Sequence, residues 1–409
     1  MADLLQIEEP ARPPPAPPSW SAFLEMGFRP LYIAGCLWAA VAVALWVFAP
    51  QWLQGSLPAV LWHAHEMLWG FVATIAVGFL LTAVTNWTGR NPSQGPALAA
   101  LVLLWLVARI GLLLPSNTAF LVGSAADVLF FALAAVATGR AIYGARSRRN
   151  YGVPLLLLAL AVTNALFLWS IHLQADYGLL MHYYHTALLC MAAIALLVAR
   201  RVTPFFATRV LRGIELNQHA RSGQYQMGAS VLAIACFALH WNAAAAVLLA
   251  AAGLIALWQW LDWKPWAVRE VPLLWILYVG YAALGLGLLV TAAFAIGWIQ
   301  RSAWPVHVLG VGGFAVLIIG MVTRTALGHL GRPLNTDRLM VLCYALVIAA
   351  ALLRLLALWP TSASLAFLHA SAGCWVAAFA LYLWRFVPWL IRARADQPRG
   401  KPVVLQRKG

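Results

Sequence analysis

HEMLWGFVATIAVGFLLTAVTNW (65–87), HTALLCMAAIALLVARRVTPFF (185–206) and HVLGVGGFAVLIIGMVTRTALGH (307–329) are three apolar runs, each opened by a histidine. They recur about 120 residues apart, a period that suggests one structural unit used three times. The residue fixed at the mouth of each run is the commonest metal ligand. Together they point to a metal or haem held by histidines inside a membrane.

Composition sets the class. The chain is 63% hydrophobic and 10% charged over 409 residues, where ordinary soluble domains carry roughly 25% charged residues. A hydrocarbon core about 30 Å thick takes about 20 apolar residues per helix. Runs between polar breaks predict spans at 28–49, 60–87, 96–114, 118–140, 150–173, 178–201, 226–241, 243–261, 271–294, 304–326, 339–358 and 363–390. The fold class is an all-α polytopic membrane protein of about 12 transmembrane helices. The links at Asn117 and Trp241–Asn242 are the shortest.

With alternating sides, every Lys and Arg except Arg109, Arg301 and Arg354 falls on one side. The positive-inside rule then places both termini in the cytoplasm. The net charge of +15 reads as this bias. Scattered over short loops, it gives no basic face for nucleic acid. The partner expected is the lipid bilayer.

A single membrane domain is expected over 28–391, in pseudo-repeats 28–143, 150–263 and 271–391 of four helices each, A to D, around the membrane normal. A Pro-rich disordered tail (1–27) and a basic tail (392–409) flank it. Arg109 precedes Pro115 by six residues in the first C helix, and Arg354 precedes Pro360 by six in the third. The second unit has His240 nearby instead.

His63, His65, His172, His182, His185, His240, His307 and His369 fall toward the outer side, and a histidine in a span is costly and usually functional. His182 and His185 share a helical face, whereas His63 and His65 point apart, so one ligates and the other hydrogen-bonds. His65 and His307 are the expected haem ligands; His182, His185 and His240 are the copper candidates. His172 and His369 are equally readable as interfacial side chains. Glu66 is the catalytic candidate, as an acceptor orienting a ligand or a proton relay, with a water-facing carboxylate as the alternative. Arg109 and Arg354, buried in spans, suit haem propionates; pairing with Asp127 or helix-end carbonyls is the alternative for them.

The five cysteines stand alone and no CxxC or CxxCH occurs, so a zinc knuckle and covalent haem are unsupported. Any haem is of b type. The acidic, proline-rich start lacks the form of a cleavable signal.

FRPLY (28–32), LWHAHEMLWG (61–70), GFLLTAVTNWTGR (78–90), RVTPFF (201–206) and TRTALGHLGRPL (323–334) resemble the NnrS family, over about Gly27 to Trp384. The resemblance implies twelve spans, bound haem and copper, and a role in bacterial nitric oxide metabolism or nitrosative stress. Its matching residues are His63, His65, Glu66, Arg324, His329, Gly331 and Arg332. The layout also resembles the catalytic subunit of haem–copper oxidases and nitric oxide reductases, with histidines on the second, sixth, seventh and tenth helices. That superfamily has its H-x-H on the tenth helix; here it is on the second, which favours one haem plus one copper.

The expected function is reduction of nitric oxide to N2O, with electrons from a quinol or redox protein. The alternatives are a nitric oxide sensor or scavenger, or a haem or copper transporter. Arg324, His329 and Arg332 fall at the far end of the tenth span, as proton-uptake or docking groups or as a helix stop.

Overall fold

In hydrocarbon every backbone N–H and C=O must find a partner within the chain, which leaves helices as the economical answer for apolar runs. The computed structural model describes residues 16–211 and 213–396. Twelve long helices stand where twelve are expected: α1 Phe28–Phe48, α2 Ala59–Thr88, α3 Gly95–Gly111, α4 Asn117–Gly144, α5 Gly152–His172, α6 Tyr177–Val210, α7 Ala220–Ala238, α8 Asn242–Asp262, α9 Pro272–Ala295, α10 Ala303–His329, α11 Arg338–Ala357 and α12 Ser364–Leu390. Ten are long and apolar enough to cross a membrane; α3 is apolar but shorter. Helix α7, with Gln224, Tyr225 and Gln226 near its start, is not among the ten.

The same neighbours recur through the chain. A packs on B (α1·α2, α5·α6, α9·α10), C packs on D (α3·α4, α7·α8, α11·α12), and each D packs on the next A (α4·α5, α8·α9, α12·α1). The last pairing closes a ring. Inside it α2 and α6 each touch α10. The apolar stretch of α2 is 83% buried and that of α6 67%, against 28% for α12, so the B helices form the centre and α12 the rim.

Two B helices share a backbone feature. The eight residues after His65, Glu66–Ala73, and the eight after His307, Val308–Ala315, are π-helical. Such segments are rare and concentrate at functional sites. Helix α6 is α-helical after His185 and runs on through Pro204 to Val210, so the expected loop near 202–225 begins later. Its polar end is tied down by Arg201, which donates to Asn150 Oδ1 (2.7 Å) and the Arg149 carbonyl (3.0 Å).

The short links are real turns. Ser116 caps α4 through its side chain. Leu239, His240 and Trp241 join α7 to α8, with His240 at φ 62°, a left-handed conformation in which histidine is enriched.

Part of the expected N-terminal tail is ordered. Trp20–Phe23 is a helical turn capped by Ser19, and Pro18 bridges to Arg392. The Ser19 N–H donates to the Ile391 carbonyl (2.9 Å) and the Gly95 N–H to the Leu24 carbonyl (2.8 Å). Backbone pairing beyond the apolar spans supplies what proline-rich composition hid. The rest of the two expected tails, 1–15 and 397–409, lies outside the described residues.

Candidate functional site

Helices α2, α3, α4 and α5 bring five polar side chains into one dry cluster. His65 and Glu66 come from the mouth of α2, Arg109 from the last turn of α3, Asp127 from α4 and Asn164 from α5. All are essentially unexposed. Arg109 bridges the two carboxylates, Nη1 donating to Glu66 and Nη2 to Asp127. His65 Nδ1 donates to Glu66 Oε1 (2.9 Å) and Nε2 to Asn164 Oδ1 (3.0 Å). The amide is oriented by its own Nδ2, which donates to Asp127 Oδ2 (2.7 Å). Trp38 Nε1 donates to Glu66 from α1.

Both ring nitrogens of His65 therefore face oxygens, and an imidazolium satisfies them both. Two carboxylates, a guanidinium and an imidazolium sum to zero, the condition under which buried charge is tolerable. Gly70 makes the room. A Cβ there would collide with Arg109 Nη1 and lie 2.7 Å from Glu66 Oε2. Gly70→Ala is expected to prise the guanidinium off Glu66 and lower the melting temperature by several degrees. An unchanged melt would show that the cluster does not need this contact.

The geometry selects among the readings open for these residues. His65, expected to ligate haem, has both ring nitrogens engaged by oxygens and is the hydrogen-bonding member of the H-x-H. Arg109 is committed to Asp127 and Glu66, not left free for a propionate. Glu66 does not face water. Asn164 was missed, although a lone amide inside the apolar run AVTNALF (161–167) is itself a signal.

His63 lines a cavity of about 240 Å³ between α1, α2, α6, α10, α11 and α12. Its ring stacks on Trp46 (5.1 Å between centroids), and its Nδ1 is buried without a partner. His307 and Arg354 line the same space, whose walls are otherwise largely apolar, with Met67, Phe71, Val306 and Trp375 among them. Among the described residues the Arg354 guanidinium has no hydrogen-bond acceptor. His307 Nδ1 donates to the Ala303 carbonyl (2.7 Å), one turn back. A carbonyl only accepts, so Nδ1 carries the proton and Nε2 the lone pair. This fixed tautomer is the state a metal-binding imidazole needs.

The second unit repeats the device. His185 Nδ1 donates to the Met181 carbonyl (2.6 Å), leaving Nε2 buried and unpartnered. His182 stacks on His240, ring centroids 4.1 Å apart. The expected copper trio is only partly assembled, because His185 stacks on Phe294 instead (5.1 Å). Among the described residues no three His, Cys, Asp or Glu side chains converge as a metal cluster. His369 stacks on Phe48 and His172 packs tilted against Trp169.

A family model described as NnrS protein matches residues 22–394. The chain belongs to the NnrS family. This is a family of membrane proteins linked to nitric oxide metabolism. No match to a curated protein accompanies the family match.

The remaining NnrS-like strings meet at the opposite end of the bundle. Phe28 of FRPLY packs tilted against His329 (5.4 Å between ring centroids), and Arg29 donates to the Leu390 carbonyl (3.1 Å) and to that of Arg392. Arg324 lies over Phe206 (3.7 Å) and Arg332 over Trp389 (3.8 Å). Helix α10 stops as the sequence suggests. The Arg332 N–H returns to the Leu327 carbonyl (2.9 Å), the Gly331 N–H to that of Gly328 (3.4 Å), and Gly331 has φ 65°, a Schellman stop. A Cβ at Gly331 would strike Asp396. Gly331→Ala is expected to cost about 1 kcal/mol or more, read as a lower melting temperature; an unchanged melt would show that this stop does not need the left-handed glycine.

Proposed function

We propose that the protein reduces nitric oxide to N2O at a haem and copper site on the histidine-bearing side of a bacterial inner membrane, with both termini cytoplasmic. The observation that carries this is the apolar cavity into which His63, His307 and Arg354 project. Its donor set fits a haem. His307 offers a preset Nε2, His63 an orphaned Nδ1, Arg354 an unpaired guanidinium for a propionate, and the walls are apolar. For copper the donors at hand are His182, His240 and the unpartnered Nε2 of His185, and imidazole suits that metal.

Haem and copper together would supply one-electron redox chemistry and open coordination positions for nitric oxide. The residues do the rest. The Ala303 carbonyl fixes the His307 ring. Apolar walls exclude water while admitting a small apolar gas dissolved in the bilayer. The cluster of His65, Glu66, Arg109 and Asp127, drawn from α2, α3 and α4, adjoins the stretch of α2 that lines the cavity and would hold protons within reach of it. The balance is two nitric oxide molecules, two electrons and two protons giving N2O and water, with electrons from a quinol or redox protein.

The test is anaerobic turnover by the purified protein with an artificial electron donor. N2O formed at half the nitric oxide consumed supports reduction. Nitric oxide bound without N2O would point instead to a sensor or scavenger, and metal or haem flux into proteoliposomes to a transporter.

A further inference from the structure

A second cavity, of about 70 Å³, lies deeper between α1, α2, α6, α9 and α10. It shares two wall residues with the first, Val72 and Phe314. Each stands seven residues beyond the histidine of its own B helix, near the end of a π segment. The partition between the cavities is thus built twice from one repeat position. Below it the walls are Ile75, Leu80, Ile194, Leu277, Leu317 and other apolar side chains.

Tyr32 and Thr203 are the polar residues among the lining, and both hydroxyls are buried without a partner. Water needs two to four polar partners to settle in such a space, and roughly 10–15 Å³ of it. Two hydroxyls do not satisfy the several waters that the volume admits. An apolar lining of this kind disfavours water and suits apolar guests.

We infer that the inner cavity is a binding site for a small apolar gas, a diatomic molecule or an atom of similar size. Nitric oxide belongs to that class, yet the site follows from the lining alone and stands whether or not the proposed function does. Its occupant needs no charge, no metal and no hydrogen bond.

Xenon tests it directly. Crystals of the full chain held under xenon pressure should show an anomalous peak between Met191, Leu277, Phe314 and Met321. Ala195→Phe, which fills the cavity from α6, should remove that peak while leaving the melting temperature within a few degrees. If that variant does not fold, Ala76→Leu fills the space from α2 and should do the same. No inner peak at saturating pressure overturns the inference. So does ordered water on Tyr32 and Thr203 filling the space, or a xenon peak that persists in the folded variant.

Discussion

Arg109→Ala is expected to leave little folded protein in the membrane. The guanidinium is 1% exposed and stands between two carboxylates that are wholly buried. Removing it strands a net negative charge, and breaking a buried pair in this way costs about 3–5 kcal/mol. A domain's whole stability is only about 5–15 kcal/mol. The readouts are yield of monodisperse protein after extraction and the melting temperature. Arg109→Met combined with Asp127→Asn removes one charge of each sign and should recover most of the loss, because Glu66 and the His65 imidazolium still balance. Were Arg109→Ala to melt like the wild type, or the double variant to melt no higher than Arg109→Met alone, charge neutrality would not be what holds the cluster. Arg354→Ala is the control. It occupies the matching place in the third unit but has no acceptor among the described residues, so its removal should barely move the melt.

That contrast marks where the sequence could and could not be read. Helix number and order follow from apolar runs and polar breaks, because lipid admits only backbone that satisfies itself. The packing of A on B, C on D and D on the next A recurs every four helices, the same interval that separates the three histidines. What lay out of reach was rotation. A π segment shifts the hydrogen-bond register without changing hydropathy, so nothing in EMLWGFVA or VLGVGGFA announces one. The orientation of the H-x-H depends on that backbone. His63 and His65 were rightly read as pointing apart, but which of them faced the cavity was a matter of where α2 sat against α5. Asp127 supplied the deciding signal. A lone carboxylate in AADVLF (125–130) must find its cation within the membrane, and Arg109 is the one it pairs with.

On the proposed function, His307→Ala is expected to abolish haem absorbance while leaving a folded protein. The ring stands half-buried at the cavity wall, its Nδ1 held by Ala303, so its loss removes one local hydrogen bond and the proposed haem ligand. Folding has little stake in it. His63→Ala should weaken haem retention, since its ring lines the same space. His65 behaves differently. Its replacement strands the carboxylates, so haem loss in His65→Ala should track loss of folded protein. His65→Gln with Glu66→Gln removes one charge of each sign, leaves Arg109 with Asp127, and should restore both fold and haem. Haem per folded molecule, from absorbance against protein after size exclusion, separates the cases. Full haem in His307→Ala, or haem missing from a folded His65→Gln, Glu66→Gln protein, would move the ligand from the third unit to the first and reverse the roles assigned here to the two halves of the H-x-H.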